Sequence, residues 1–156
     1  MGYTDNTKIQ EVRALVKKLW IPENRKMTVC IDSYQEGIFR GRFSDRKGIV
    51  RSFQSLSQFL VMADQLLEQE EEPQSDTFRR SFSSCLSQSC ETIHRGGIPR
   101  GVQATFELQI LFRQHTSWQG VIFWRDQCRQ QSFRSVLELI LLIDSALRET
   151  ADRNAG

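Results

Sequence analysis

Cys85, Cys90 and His94 have the types and nearly the spacing of metal ligands, in the order C-x4-C-x3-H. Structural zinc takes four ligands, commonly in close pairs. A fourth would have to come from Cys30, Cys128 or His115, and nothing in the spacing requires it. The four cysteines follow no scaffold pattern, so they read as free thiols in a reducing cytoplasm. His115 sits beside Thr116 and Ser117, but a nucleophile wants a base that a third group orients. The chain has only two histidines and no G-x-S-x-G, P-loop or Rossmann glycine pattern. Asp32 and Asp45 end strands and read as turn residues. Asp64 and Asp144 fall at matching helical positions and read as solvating an outer face. The expectation is a chain without catalytic activity, metal or cofactor.

Arginine makes a second chemistry worth weighing. Of the 21 cations 16 are Arg, whose planar fork of donors suits phosphate or carboxylate. Arg40, Arg42, Arg51, Arg113 and Arg125 lie on or beside strand-like runs, with Tyr34, Trp118 and Trp124 nearby. Phosphate contacts and base stacking could follow, with Arg40, Arg42, Arg51 and Arg125 as the nucleic-acid face. Against this, alternation buries many of the aromatics, and a net charge of +2 is a weak basic footprint. Helix, three strands and helix across 7–68 is also the order of a double-stranded RNA-binding domain. Those domains place cations at the start of the last helix, where this chain has Ser55-Leu56-Ser57-Gln58-Phe59. That assignment fails on chemistry.

The elements that position these residues come in two similar runs. Ser52-Phe53-Gln54-Ser55-Leu56 returns as Ser132-Phe133-Arg134-Ser135-Val136, and the register holds through Asp64 and Asp144 to Leu67 and Leu147. In the first run Met27–Asp32, Ile38–Ser44 and Ile49–Phe53 alternate as strands, separated by turns at Tyr34–Gly37 and Asp45–Gly48. Ser55-x-x-Gln58 is a capping box opening a helix whose buried stripe is Leu56, Phe59, Leu60, Ala63 and Leu67. In the second run Phe106, Leu108, Ile110 and Phe112 alternate with Glu107, Gln109, Leu111 and Arg113. Gln114–Ser117 turns the chain into Trp118–Trp124, a turn follows over Asp126–Arg129, and Ser135-x-x-Glu138 opens the last helix. Leu139–Ile143 is apolar nearly all round, which predicts burial on more than one side, between the two units or in a subunit interface.

The resulting fold class is α+β: two ββ(β)α repeats of antiparallel strands plus a helix around a shared core. The spacing of Ile9, Val12, Leu15, Val16 and Leu19 predicts an amphipathic helix over 7–20 ahead of them. The expected organisation is an N-terminal helix in 1–23, a first unit in 24–69 and a Ser-rich polar linker in 70–102. A second unit in 103–150 and a tail in 151–156 complete it. A short helix could form within the linker over Asp76–Cys85. No apolar run approaches the roughly 20 residues a membrane helix needs, and the start lacks the marks of a signal peptide.

Two segments carry a resemblance. Phe112-Arg113-Gln114-His115-Thr116-Ser117-Trp118-Gln119-Gly120 and Phe133-Arg134-Ser135-Val136-Leu137-Glu138-Leu139 resemble a group of small uncharacterised proteins of gut Clostridia and related Firmicutes. Ile31-Asp32-Ser33-Tyr34 and Gly41-Arg42-Phe43 are similar to that group as well, and His115 stands where the group's pattern has Asn. The resemblance implies a bacterial, cytoplasmic source and names no activity. It draws attention to Arg113, Gln114, His115, Ser117, Trp118 and Gln119, a hairpin more elaborate than a turn needs. Trp and Arg are common interface anchors. These residues are therefore the candidate surface for a protein partner or a second copy of the chain.

Overall fold

The computed structural model describes residues 26–70, 73–77, 94–95 and 100–156. The helix expected over 7–20, and Cys85 and Cys90, lie outside the described residues. Strands β1 (Met27–Gln35), β2 (Ile38–Ser44) and β3 (Ile49–Phe53) lead into helix α1 (Leu56–Gln69). After β4 (His94–Arg95) come β5 (Ala104–Phe112), β6 (Gln119–Trp124), a 3-10 turn (Arg125–Gln127), β7 (Arg129–Phe133) and helix α2 (Val136–Asn154). The last helix therefore runs through most of the expected tail.

The strands of the described residues join one antiparallel sheet in the order β4-β3-β2-β1-β5-β6-β7: six main strands, extended at the β3 edge by the two residues of β4. The two halves meet where β1 pairs β5, Val29 standing opposite Phe106. Their internal registers match. Gly41 stands opposite Phe53 as Gly120 stands opposite Phe133, and each first strand carries a register shift, between Ile31 and Ser33 and between Ile110 and Phe112. Glycine is required at both places. A Cβ on Gly41 would lie 1.9 Å from the Cys30 carbonyl oxygen, and one on Gly120 2.0 Å from that of Gln109.

The register shifts alter how strict alternation reads. Phe112, expected to share a face with Ile110, is exposed, and Tyr34 and Arg113 are redirected toward the helices. Strand β7 is the element the alternation pattern misses, because Arg129, Gln130, Gln131 and Ser132 are all exposed. Such an edge strand carries no apolar face to recognise.

Both helices lie on one face of the sheet over a continuous core. Phe59 of α1 meets Phe43 edge-on at 5.2 Å and Phe53 at 5.3 Å, while α2 buries Leu139, Ile143, Ala146 and Leu147. Each N-terminus is closed alike. Ser55 Oγ accepts the Gln58 amide at 3.2 Å while Gln58 Oε1 accepts that of Gln54 at 2.7 Å; Ser135 and Glu138 repeat this with the Arg134 amide. The helices run in opposite directions. Helix α1 ends beside the β2–β3 turn through the Arg46–Glu70 ion pair, and α2 begins at the β5–β6 hairpin, where the Val136 amide donates to Ser117 Oγ. Burial of α2 on more than one side is not found among the described residues. Leu137 and Leu141 are 65% and 57% exposed, because one sheet face covers only one stripe of a helix.

Candidate functional site

Arg113 is the least expected residue of the molecule, a guanidinium only 6% exposed at the end of β5. Burying a cation is costly unless it is paired and hydrogen-bonded. Its Nη2 donates to Asp64 Oδ1 at 2.9 Å and lies 3.0 Å from Glu68 Oε2, both one helical turn apart on α1. Its Nη1 donates to the Pro73 carbonyl at 3.4 Å. The buried indole of Trp118 donates from Nε1 to the same Asp64 oxygen at 3.1 Å. Asp64 thus does not simply solvate a helix face. It ties the β5–β6 hairpin to α1.

The hairpin binds itself as well. The Gln114 amide donates to Gln119 Oε1, and Gln119 Nε2 returns a bond to the Gln114 carbonyl, both at 2.9 Å. His115 and Thr116 take left-handed backbone angles, φ +55° and +56°. A strap from 73–77 docks alongside: Ser75 bridges to Arg113, the Asp76 amide donates to the Arg113 carbonyl, and Asp76 Oδ2 accepts the His115 amide at 3.1 Å. The strap begins the stretch read as linker, and Asp76 and Thr77 form bends there rather than the start of a helix. The six hairpin residues singled out by sequence are therefore brought together. Arg113, Gln114, Ser117, Trp118 and Gln119 each spend polar groups on bonds inside the chain.

What they frame is an open groove of about 520 Å³ between α1, the hairpin, the strap and the first turn of α2. That is within the range of volumes that hold ligands. Its apolar wall is Leu60, Val61 and Val136; its polar wall is Asp64, Glu68 and the hydroxyl residues Ser75, Thr77 and Ser117. Two carboxylates against one guanidinium leave the groove one negative charge in excess. Val61 is 50% exposed at the rim, and Glu68 is half-exposed. On α2, Leu137 and Leu141 extend the apolar surface beyond Val136 at helical spacing. Sequence reading missed the α1 side of this site. The signal was available in Asp64 and Glu68, an i, i+4 acid pair beside the apolar Leu60-Val61.

The arginines weighed for nucleic acid do not form one surface. Alternation puts Arg40 and Arg42 on the face away from the helices and Arg51 on the helix face, opposite Phe43. Arg42 makes a two-bond pair with Asp32 at 2.8 and 3.0 Å, Arg51 binds Asp45 at 2.9 Å, and Arg125 lies 3.6 Å from Glu107. Arg40 is exposed. Asp32 lies within β1, at its register shift, rather than at a strand end as expected, and both it and Asp45 hold cations. Asp45 also accepts the amides of Lys47 and Ile49.

Among the described residues no group of three or more His, Cys, Asp or Glu could hold a metal ion, and no helix is long and apolar enough to cross a membrane. Cys30 is fully buried and Cys128 exposed, both as free thiols. Burial pushes the Cys30 thiol up to about 11. The chain matches no protein-family model, no curated protein and no solved structure.

Proposed function

We propose that this protein is a non-enzymatic interaction module, made of two copies of one ββ(β)α unit, that docks a protein partner in the groove between α1 and the β5–β6 hairpin. The observation that carries this reading is the pairing of an exposed apolar rim, Val61, with a groove whose acids outnumber its buried cation. The partner that fits is a segment presenting an aliphatic side chain to Val61 and Val136, and a Lys or Arg to the half-exposed Glu68. Such a contact joins an apolar anchor to a charge pair at the rim, where charge sets orientation more than strength. The hairpin residues shape the groove, and Trp118 and Arg113 hold it open from beneath.

The alternative, nucleic-acid binding through Arg40, Arg42, Arg51 and Arg125, has less behind it, since three of these four already face carboxylates. The cytoplasmic, Firmicutes setting stays part of the proposal. Selection of a displayed peptide library against the chain, repeated with Val61→Asp and Glu68→Arg, tests the reading.

A further inference from the structure

The two halves differ at one corner in a way that points to a ligand. Counting from the matched Gly41 and Gly120, Asp45 of the first half and Trp124 of the second hold the same place at the end of the second strand. Asp45 is buried, and its carboxylate receives the amides of Lys47 at 2.8 Å and Ile49 at 2.9 Å and the Arg51 guanidinium at 2.9 Å. The first half thus closes its corner with its own carboxylate. The second half brings a donor to this place and no acceptor. Trp124 is 7% exposed, and its indole Nε1 is buried without a hydrogen-bond partner among the described residues. A buried donor left unpaired costs about 1–3 kcal/mol, so its presence calls for an explanation.

Trp124 borders a cavity of about 100 Å³ between β5, β6, β7 and the C-terminal half of α2. This is the opposite end of α2 from the groove described above. Phe106, Ile122 and Leu142 are in its apolar wall, and Arg129, Glu149, Gln131 and Ser145 are its polar groups. The Arg129 guanidinium lies over the Trp124 ring, 5.7 Å from its centroid, where it can only donate. It also donates to Glu149 Oε2 at 2.9 Å, while Glu149 Oε1 receives Arg153 at 2.7 Å. Two cations therefore share one carboxylate. Arg129 and Glu149 balance within the cavity wall; with Arg153, which pairs the same Glu149 from outside it, the corner carries one positive charge and one buried indole donor in excess, beside a cavity of mixed polar and apolar lining.

We propose that this cavity binds a small aliphatic monocarboxylate. Its carboxylate takes the bonds of Arg129 and Trp124 Nε1, and its alkyl chain lies against Phe106, Ile122 and Leu142. The volume corresponds to about three waters, which suits a chain of a few carbons. Arg129 is mostly exposed and swings from the indole face to admit the ligand. Glu149 keeps Arg153 when Arg129 turns to the ligand, so no carboxylate is left unpaired.

The test is a titration of the ¹⁵N-labelled full chain with sodium butanoate, following the indole N–H signals of its three tryptophans. Trp124→Phe identifies the signal of interest. The proposal expects a saturable downfield movement of that signal at millimolar butanoate, and no movement with sodium chloride or 1-butanol at the same concentrations. Arg129→Gln, a change at an exposed side chain, should weaken the affinity at least tenfold with the urea midpoint kept close to that of the parent. A Trp124 signal that stays in place, an equal response to 1-butanol, or an Arg129→Gln protein that binds butanoate as well as the parent would each overturn it.

Discussion

Arg113 and Tyr34 occupy matching positions, each one residue past the register shift of its half's first strand, and each reaches the helix of the other half. Arg113 binds Asp64 of α1, and the Tyr34 hydroxyl donates to Asp144 Oδ1 of α2 at 2.6 Å. The two aspartates lie at the same distance from their capping serines, Ser55 and Ser135. Four residues on, Glu68 answers Arg148. One half places its cation on the strand facing two acids. The other places a neutral phenol on the strand, and the cation on the helix beside Asp144. The halves are thus crossed over one another, and only one of the two crossings is a buried charge pair.

Substitution should separate these crossings. Asp64→Ala strands the buried Arg113 guanidinium and the Trp118 indole, leaving the half-exposed Glu68 as the remaining acid. Breaking a buried pair from one side is expected to cost about 3 kcal/mol here. Asp144→Ala removes an acceptor from a phenol that can turn to water, and should cost about 1 kcal/mol. Urea unfolding of the two variants measures the difference. Equal losses would mean that Arg113 is not held as a buried ion.

Alkaline pH should act through Tyr34. Its hydroxyl is held above its ordinary value, first by the hydrogen bond to Asp144 and then by burial. A pKa raised on folding favours the protonated form in the native state. The contribution is full below the unfolded value of about 10 and is lost as pH rises through the folded one. Stability measured across this range should fall for the parent and fall less steeply for Tyr34→Phe.

The described thiols should part company in reactivity. Thiolate is the reacting form, and Cys30 is both fully buried and pushed up to about 11. Brief alkylation of the native protein at mildly alkaline pH, followed by peptide mapping, should label the exposed Cys128 and leave Cys30 intact until the chain is unfolded. Labelling of both at similar rates would show that the sheet opens around β1.

Thr116 carries backbone strain that glycine would relieve. A β-branched residue at φ +56° is unfavourable by roughly 1 kcal/mol. Thr116→Gly should therefore raise stability by an amount of that order, less glycine's extra freedom in the unfolded chain. His115, at φ +55°, is of a type more tolerant of this region.

Much of the fold was legible because its signals are local. The alternation in Ile38–Ser44 and the capping serines Ser55 and Ser135 each depend on neighbours within a few positions, and each appears in the structure as read. What escaped depends on pairing across the sheet. Nothing near Phe112 announces the shift that exposes it and redirects Arg113, and nothing near Arg129–Ser132 marks an edge strand without an apolar face. Asp64 looked like a solvated acid because its partners are far along the chain, Arg113 and Trp118. The hairpin drew attention through Arg113, Trp118 and its paired glutamines. Its polar groups serve the chain itself, and the groove beside it became visible only once α1 was laid against it.

The central claim is that this groove receives a protein segment with aliphatic and basic side chains. The direct measurement is selection of a displayed random-peptide library on the parent chain, with the enriched peptides then titrated against the parent, Val61→Asp and Glu68→Arg. Val61 is exposed, whereas Glu68 also faces Arg113 at 3.0 Å, so Glu68→Gln is titrated beside Glu68→Arg, and urea midpoints close to the parent's confirm that the fold is retained. The account predicts peptides that share a Lys or Arg near an aliphatic residue and lose at least tenfold in affinity for each variant. A library that yields no binder, or binders indifferent to all three variants, would contradict it.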